Sequence, residues 1–206
     1  RTLQLHKIPA DAPQAEKPQV DREKVSRHLS GAIQVKTISK PVMTDEDRKV
    51  FLDMHAWIEE TYPLLSRNLE RTIVNQHSLL YKWIGSDLRL KPVLLNAHMD
   101  VVPVDEKTRG EWKSDPFGGE IRDGFVWGRG ALDMKSIMIG LLDSVESLLE
   151  SGYQPKRTIY LTFGHDEEIS GFQGSLKIME YLKSKSVQLA AVLDEGGMLT
   201  LGSLTD

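Results

Sequence analysis

The stretch RTIYLTFGHDEE, residues 157–168, decides the fold because it joins an apolar run to three adjacent carboxylates. The run RTIYLTFG is short and rich in β-branched and aromatic residues, which is typical of a strand covered on both faces. Such strands belong to α/β proteins, in which helices pack against both faces of a sheet. The carboxylates then follow the carboxyl end of the strand, which is where open α/β sheets place their ligands.

Helical patterns lie on both sides of this strand in the sequence. Apolar residues recur at helical spacing in residues 21–34, 134–152 and 172–185. One more helix is predicted to begin after Thr44, which is a suitable N-cap residue, and to end before Pro63. Helices therefore separate the predicted strands along the chain.

Other segments have the composition of strands. Residues 71–85 indicate a pair of strands, residues 91–98 and 189–194 indicate buried strands, and residues 121–130 indicate a hairpin that turns at Asp123-Gly124. Strands that alternate with helices predict an α/β fold of three layers, α/β/α, with a mixed and largely parallel sheet.

Composition sets the class of protein. The 206 residues are 40% hydrophobic, which suffices for one core, and we expect a poorly ordered arm over 1–20 followed by one unit over 21–206. A net charge of -4 without a basic patch argues against nucleic acid as a partner, and we expect no transmembrane segment. The absence of cysteine excludes thiolate chemistry and leaves the compartment open.

Acidic residues and one histidine follow the predicted strands. We expect them to meet at one edge of the sheet, because the carboxyl ends of parallel strands lie together. Converging carboxylates raise one another's pKa unless cations balance them, and a bound dication is the simplest such cation. The residues are His98, Asp100, Asp133, Asp166, Glu167, Glu168, Asp194 and Glu195.

The residue types favour particular metals and roles. Nitrogen and oxygen ligands without thiolate suit zinc, with cobalt or manganese as substitutes, and a bridging carboxylate suits a pair of ions. His98 and Asp100 alternate on a strand, so the carboxylate can orient the imidazole. Of the adjacent Glu167 and Glu168, one can bind metal while the other takes a proton from water.

Each of these residues also has an ordinary structural explanation. The His-x-Asp pair is usually a polar strand end, and Asp133 could cap a helix. Glu167 and Glu168 could lie in a solvated loop, and Asp194 could belong to a turn. Their joint occurrence, each at the end of a different strand or turn, favours a metal site, and we expect His165 to support the loop rather than to bind metal.

Four motifs resemble a known family in that family's order. They are NAHMDVVPV (96–104), WKSDPFGGEIRDGFVWGRGALDMKS (112–136), GHDEEISG (164–171) and LDEGG (193–197). Together they resemble the di-zinc metallopeptidase and aminoacylase family that includes glutamate carboxypeptidase, carboxypeptidase S and N-fatty-acyl-amino-acid synthase/hydrolase. LSGAIQVKTIS (29–39) favours the carboxypeptidase S-like branch, some of whose members act in the secretory pathway or vacuole.

The resemblance implies a metal-ligand set. His98 and Asp194 would bind one zinc ion, Asp133 would bridge the pair of ions, and Glu168 would bind the second. The resemblance also implies a cis peptide bond after Asp133.

The resemblance further implies a reaction. Glu167 would be the general base and Asp100 the residue that holds His98. The reaction would be hydrolysis of an amide bond, or its reversal, in N-acyl amino acids or C-terminal peptide residues that carry a free carboxylate.

Family members continue beyond the point at which this sequence stops. The resemblance therefore implies an incomplete catalytic domain, without the lid and dimerisation domain through which a full-length form would be homodimeric. The absent part would supply the last histidine of the second zinc, so we expect little or no activity from this chain alone. Two alternatives are an aminopeptidase of the same fold superfamily and a non-catalytic metal-binding or regulatory fragment.

Overall fold

A computed structural model describes residues 19–195 as a mixed sheet with helices on both faces. The helices are α1 (Arg22–Gln34), α2 (Asp45–Thr61), α3 (Pro63–Asn68), α4 (Lys135–Glu150) and α5 (Ser175–Ser184). The strands are β1 (Glu70–Val74), β2 (Ser78–Trp83), β3 (Val93–His98), β4 (Glu120–Arg122), β5 (Phe125–Trp127), β6 (Ile159–Gly164) and β7 (Ala191–Leu193).

The main sheet has the strand order β1-β2-β6-β3-β7. β6, β3 and β7 are parallel, whereas β2 is antiparallel to both of its neighbours, β1 and β6. Since only β2 runs in the opposite direction, the sheet is mixed and largely parallel, as the sequence predicts. β4 and β5 form a separate hairpin that turns at Asp123 and Gly124, both with positive φ.

The register of β3 against β6 places the site. Leu95 pairs with Leu161 at the centre of the two strands, and His98 pairs with Gly164 at their carboxyl ends. The carboxylates that follow β6 therefore begin beside the last residue of β3.

Two apolar cores lie on opposite faces of the sheet. The larger core packs α1–α4 against one face, and the smaller core packs α5 against the other. This arrangement confirms the three layers. Each buried large apolar side chain contributes roughly 1.5–3 kcal/mol. Members of the larger core include Phe51, Met54, Tyr81, Met138 and Phe163, and the smaller core contains Leu80, Leu94, Tyr160, Ile178 and Leu182.

Helix boundaries follow local hydrogen bonding. Thr44 caps α2 as predicted: its hydroxyl accepts the backbone N–H of Asp47, and the Asp47 carboxylate accepts the backbone N–H of Thr44, which forms a reciprocal capping box. α2 ends before Pro63, also as predicted. The chain then starts the unpredicted helix α3 at Pro63 itself, because proline at the first helical position gives up no hydrogen bond.

One strand differs from its predicted environment. The sequence predicts a buried strand over residues 189–194, but all three residues of β7 are exposed. The reason is that β7 is an edge strand: among residues 19–195 no strand pairs with its outer side.

No helix within residues 19–195 has the length and hydropathy needed to cross a membrane. Most of the predicted arm, residues 1–18, lies outside the described residues.

Candidate metal centre

The imidazole of His98 is the centre of the predicted cluster. It ends β3, is 1% exposed, and its Nε2 lies 3.1 Å from Asp133 Oδ1, 3.5 Å from Glu195 Oε1 and 3.7 Å from Glu167 Oε2. The carboxylates come from the turn before α4, the segment after β7 and the loop after β6. Three separate segments therefore supply oxygen atoms to one nitrogen.

The turn before α4 contacts His98 twice. Besides the Asp133 carboxylate, the sulfur of Met134 accepts the backbone N–H of His98 at 3.1 Å. The peptide bond between Asp133 and Met134 is cis, as the family resemblance implies. Adjacent residues of this turn thus contact the ring and the backbone of the same histidine.

Asp100 holds the glutamate loop and the imidazole of His98 together. Its buried carboxylate accepts the backbone N–H of Glu167 through Oδ1 and that of Glu168 through Oδ2, each at 3.1 Å. His98 Nδ1 lies 3.3 Å from Asp100 Oδ1 and 3.0 Å from the Asp100 backbone oxygen, which is the closer acceptor. With Nδ1–H donating to these oxygens, Nε2 is directed at the other carboxylates.

The charges of the cluster shift several pKa values. Burial opposes protonation of His98, but the hydrogen bond to Asp100 and the negative charges of Asp100, Glu167 and Glu195 raise the pKa of His98 to about 9. Burial and the neighbouring Asp133 raise the pKa values of Glu168 and Glu195. Burial also opposes ionisation of Asp100, yet its contacts with His98 lower its pKa. The cluster therefore favours a cation at Nε2.

The donor set fits a divalent metal. One ligand atom each from His98, Asp133 and Glu195 can be chosen so that all lie within 4.8 Å of one another. Without a cation, the lone pair of neutral Nε2 would face carboxylate oxygens, which is electrostatically unfavourable. A nitrogen and two carboxylates are ligands that zinc accepts.

The structure brings together only part of the predicted ligand set. Asp194 turns to Asn96, whose amide donates to it at 2.9 Å, and its neighbour Glu195 faces His98 instead. Glu168 lies outside the group within 4.8 Å, although its backbone is held by Asp100. The ligand roles of Asp194 and Glu168 stay predictions. Sequence reasoning placed Glu195 in the cluster without giving it a ligand role.

His165 contacts the neighbouring strand rather than the cluster. Its Nδ1 lies 2.7 Å from the hydroxyl of Ser78 at the start of β2, and the ring is 2% exposed. The next residue, Asp166, accepts the backbone N–H of Gln173 at 2.7 Å. His165 ties the start of the glutamate loop to β2, and Asp166 ties that start to Gln173 at the other end of the loop. The contact of His165 is the supporting role that we expect for it.

The sequence is similar to those of known proteins. Residues 94–205 match the model of peptidase family M20/M25/M40. A probable carboxypeptidase S-like protein of Dictyostelium discoideum is 42% identical over 180 residues, covering 85% of this chain and 36% of the relative. An N-fatty-acyl-amino acid synthase/hydrolase of Xenopus tropicalis is 41% identical over 180 residues, covering 85% of this chain and 34% of the relative.

The fold is shared with solved structures. The crystal structure of human carnosine dipeptidase 1 superposes with a TM-score of 0.68 at 20% identity, covering 86% of this chain and 39% of that structure. The chain thus spans about a third of the length of the curated relatives that it matches.

Proposed function

Because the chain belongs to peptidase family M20/M25/M40, we propose that it carries metal ligands and the general base of a zinc-dependent hydrolase that acts on amide bonds. The observation that carries this proposal is the convergence of Asp133, Glu195 and Glu167 on the buried imidazole of His98. The substrates that we propose are N-acyl amino acids and C-terminal peptide residues, each with a free carboxylate beside the scissile bond. The names of the relatives support this class.

Divalent metal is implied by the family, and the donor set of this chain fits it. We propose zinc, with cobalt or manganese as substitutes, held by His98, Asp133 and a carboxylate of residues 194–195, with Glu168 contributing to a second ion. When bound, the metal supplies Lewis acidity toward the scissile carbonyl and the attacking water.

Glu167 is the residue that we propose moves the proton. Its carboxylate lies 3.7 Å from His98 Nε2 and is about half exposed, so that water can reach it. Its backbone N–H is held by the buried Asp100. In the proposed reaction, Glu167 accepts a proton from the attacking water and then gives it to the nitrogen of the departing amine.

The experiment that tests this function transfers the chain into a protein of full family length. The matching segment of the Dictyostelium relative is replaced by residues 21–206, and hydrolysis of N-acyl amino acids is measured with Glu167 intact and as Glu167→Gln. We expect turnover to fall by about 10²–10⁴-fold in the variant, with unchanged metal content. The matched control is Glu106→Gln, in an exposed loop. Equal turnover in the two variants would refute the assignment.

Substrate choice separates the proposed activity from that of an aminopeptidase. The same chimera is given N-acylated and free-amino substrates of equal side chain, and we expect preference for the N-acylated series. For the 206-residue chain alone we expect turnover well below about 1 per second, which is the slow end of typical enzymes. Preference for free-amino substrates would favour the aminopeptidase.

A further inference from the structure

Lys135, the first residue of α4, is a buried basic residue that is influenced by the charge of Asp100 but donates its hydrogen bonds to backbone oxygens. It is 0% exposed, and within residues 19–195 no carboxylate oxygen forms an ion pair with its Nζ. A buried amine is costly unless its hydrogen bonds are satisfied, and a methionine would fill the same space with an apolar side chain. The contacts made by the amine therefore need a physical reason.

Those contacts are with the end of α1. Nζ donates to the backbone oxygens of Ala32 at 2.8 Å and Val35 at 2.7 Å. Carbonyls in the last turn of a helix lack partners within the helix and carry the negative end of its dipole, so a donor is favoured there. Burial lowers the pKa of Lys135 to about 7, and the neutral amine can donate both bonds as the ammonium does.

The same short segment touches the metal centre. In the run 133–135, Asp133 contacts the His98 ring, Met134 accepts the His98 backbone N–H, and Lys135 binds the end of α1. A displacement of Lys135 would therefore move the Asp133 carboxylate through a single intervening residue.

A second set of hydrogen bonds links the end of α1 to the chain next to His98. Just after α1, the hydroxyl of Thr37 donates to the backbone oxygen of Met99 at 2.5 Å, and the N–H of Val101 donates to the Thr37 oxygen at 3.0 Å. The end of α1 is thus joined to the chain directly after His98. Lys135 joins the same end of α1 to Asp133 and Met134, which contact His98.

We propose that Lys135 is a positioning residue that holds Asp133 against His98 by anchoring residues 133–135 to the last carbonyls of α1. The proposal deepens the metal-dependent function proposed above and rests on it for its consequence, which is metal affinity. The contacts that link residues 133–135, the end of α1 and the chain after His98 do not depend on any bound ion.

The test compares Lys135→Met with a control on the same helix pair. Asp143 of α4 also contacts α1, through His28 Nδ1 at 2.7 Å, but lies away from the metal centre. Asp143→Asn therefore loosens α1 against α4 without touching residues 133–135. Calorimetric titration with Co²⁺ alone should give a dissociation constant about 10–100-fold weaker for Lys135→Met and nearly unchanged for Asp143→Asn.

A measurement on the metal-free chain separates this proposal from the proposed function. The nuclear Overhauser effect between the Met134 methyl group and the His98 backbone amide should be present in the wild type and in Asp143→Asn, and lost in Lys135→Met. Wild-type protein that binds no Co²⁺ would count against the metal site, whereas this comparison would still decide the role of Lys135.

Lys135→Gln serves if the methionine variant does not fold. Its amide keeps two N–H donors on a shorter side chain, so we expect a partial loss of both the Co²⁺ affinity and the Overhauser effect. The proposal is overturned if a folded Lys135 variant keeps the Met134–His98 Overhauser effect at wild-type strength, or if Asp143→Asn weakens Co²⁺ binding as much as the Lys135 variants do.

Discussion

At the scale of the residue, Asp100 decides how the candidate metal centre is assembled. A single buried carboxylate receives the backbone N–H groups of Glu167 and Glu168 and also faces His98 Nδ1. Its lowered pKa keeps it ionised, so it remains an acceptor for all three donors. The position of the imidazole and that of the glutamate loop therefore depend on the same side chain.

Asp100→Asn should disturb the position of the His98 imidazole and that of the loop that carries Glu167 and Glu168. The amide group presents N–H donors where the carboxylate accepted, so one backbone N–H loses its partner. We expect Zn²⁺ affinity to fall about 10–100-fold and the free energy of unfolding to drop by about 1–3 kcal/mol. Calorimetry and urea unfolding measure the two effects. Asp105→Asn, in an exposed loop, is the control, and wild-type affinity in Asp100→Asn would show that Asp100 does not order the site.

At the scale of the element, buried histidines join α2 to the sheet. His55 of α2 contacts the backbone oxygen of His77 through Nε2 at 2.7 Å, and the rings of His77 and His165 pack against Phe51. His77 occupies the turn between β1 and β2, and His165 begins the loop after β6. Protonation of these histidines would place positive charge in the apolar contact that joins α2, the β1–β2 turn and the loop after β6.

Acid should weaken the fold through His77. Burial, with the neighbouring His165 and His55, lowers its pKa from 6.5 to about 4, so the unfolded chain takes up a proton first as pH falls. Stability is therefore lost progressively between about pH 6.5 and pH 4. His77→Phe should lose less over this range than the wild type, by on the order of 1–3 kcal/mol. Urea unfolding at both ends of the range measures this, and equal losses would contradict it.

The elements themselves were largely predictable from sequence. α1, α2, α4 and α5 have clear helical spacing, and β1, β2, β3 and β6 have strand composition, so local pattern and packing agree. β7 was predicted to be buried because its apolar composition resembles that of a central strand. Whether such a strand lies inside the sheet or at its edge depends on long-range pairing, which a local pattern does not contain.

At the scale of the whole molecule, the outer side of β7 has no paired strand within residues 19–195. Val192 is 55% exposed and Leu193 is 63% exposed, and unpaired apolar edges favour association with other chains. We expect the chain to self-associate with concentration in sedimentation velocity, and Val192→Lys to weaken that association without loss of folding. Val42→Lys changes an exposed apolar residue between α1 and α2 and should have no such effect. Identical association of Val192→Lys and the wild type would exclude the edge.

The sequence could predict which segments form the site, but not which residue after β7 faces His98. Parallel strands end together, so the sequence could place His98 near Glu167 from β3 and β6 alone. Asp133 lies in the turn before α4, and its contact with His98 comes from the assembled fold. Residue pattern alone offers both Asp194 and Glu195, and the family resemblance assigns the ligand role to Asp194. Both residues follow β7, so their positions relative to His98 depend on where β7 pairs with β3. That register, with Leu95 opposite Leu193, comes only from the assembled sheet.

The central claim is that His98 and the carboxylates around it bind a dication, and zinc titration of the purified chain tests it most directly. Calorimetry and elemental analysis of the wild type and of Asp133→Ala give the stoichiometry and the dissociation constant. We predict at least one Zn²⁺ per chain in the wild type and binding weakened by at least about tenfold in the variant. A folded wild-type chain that binds no zinc, or binds it no better than Asp133→Ala, would contradict the claim.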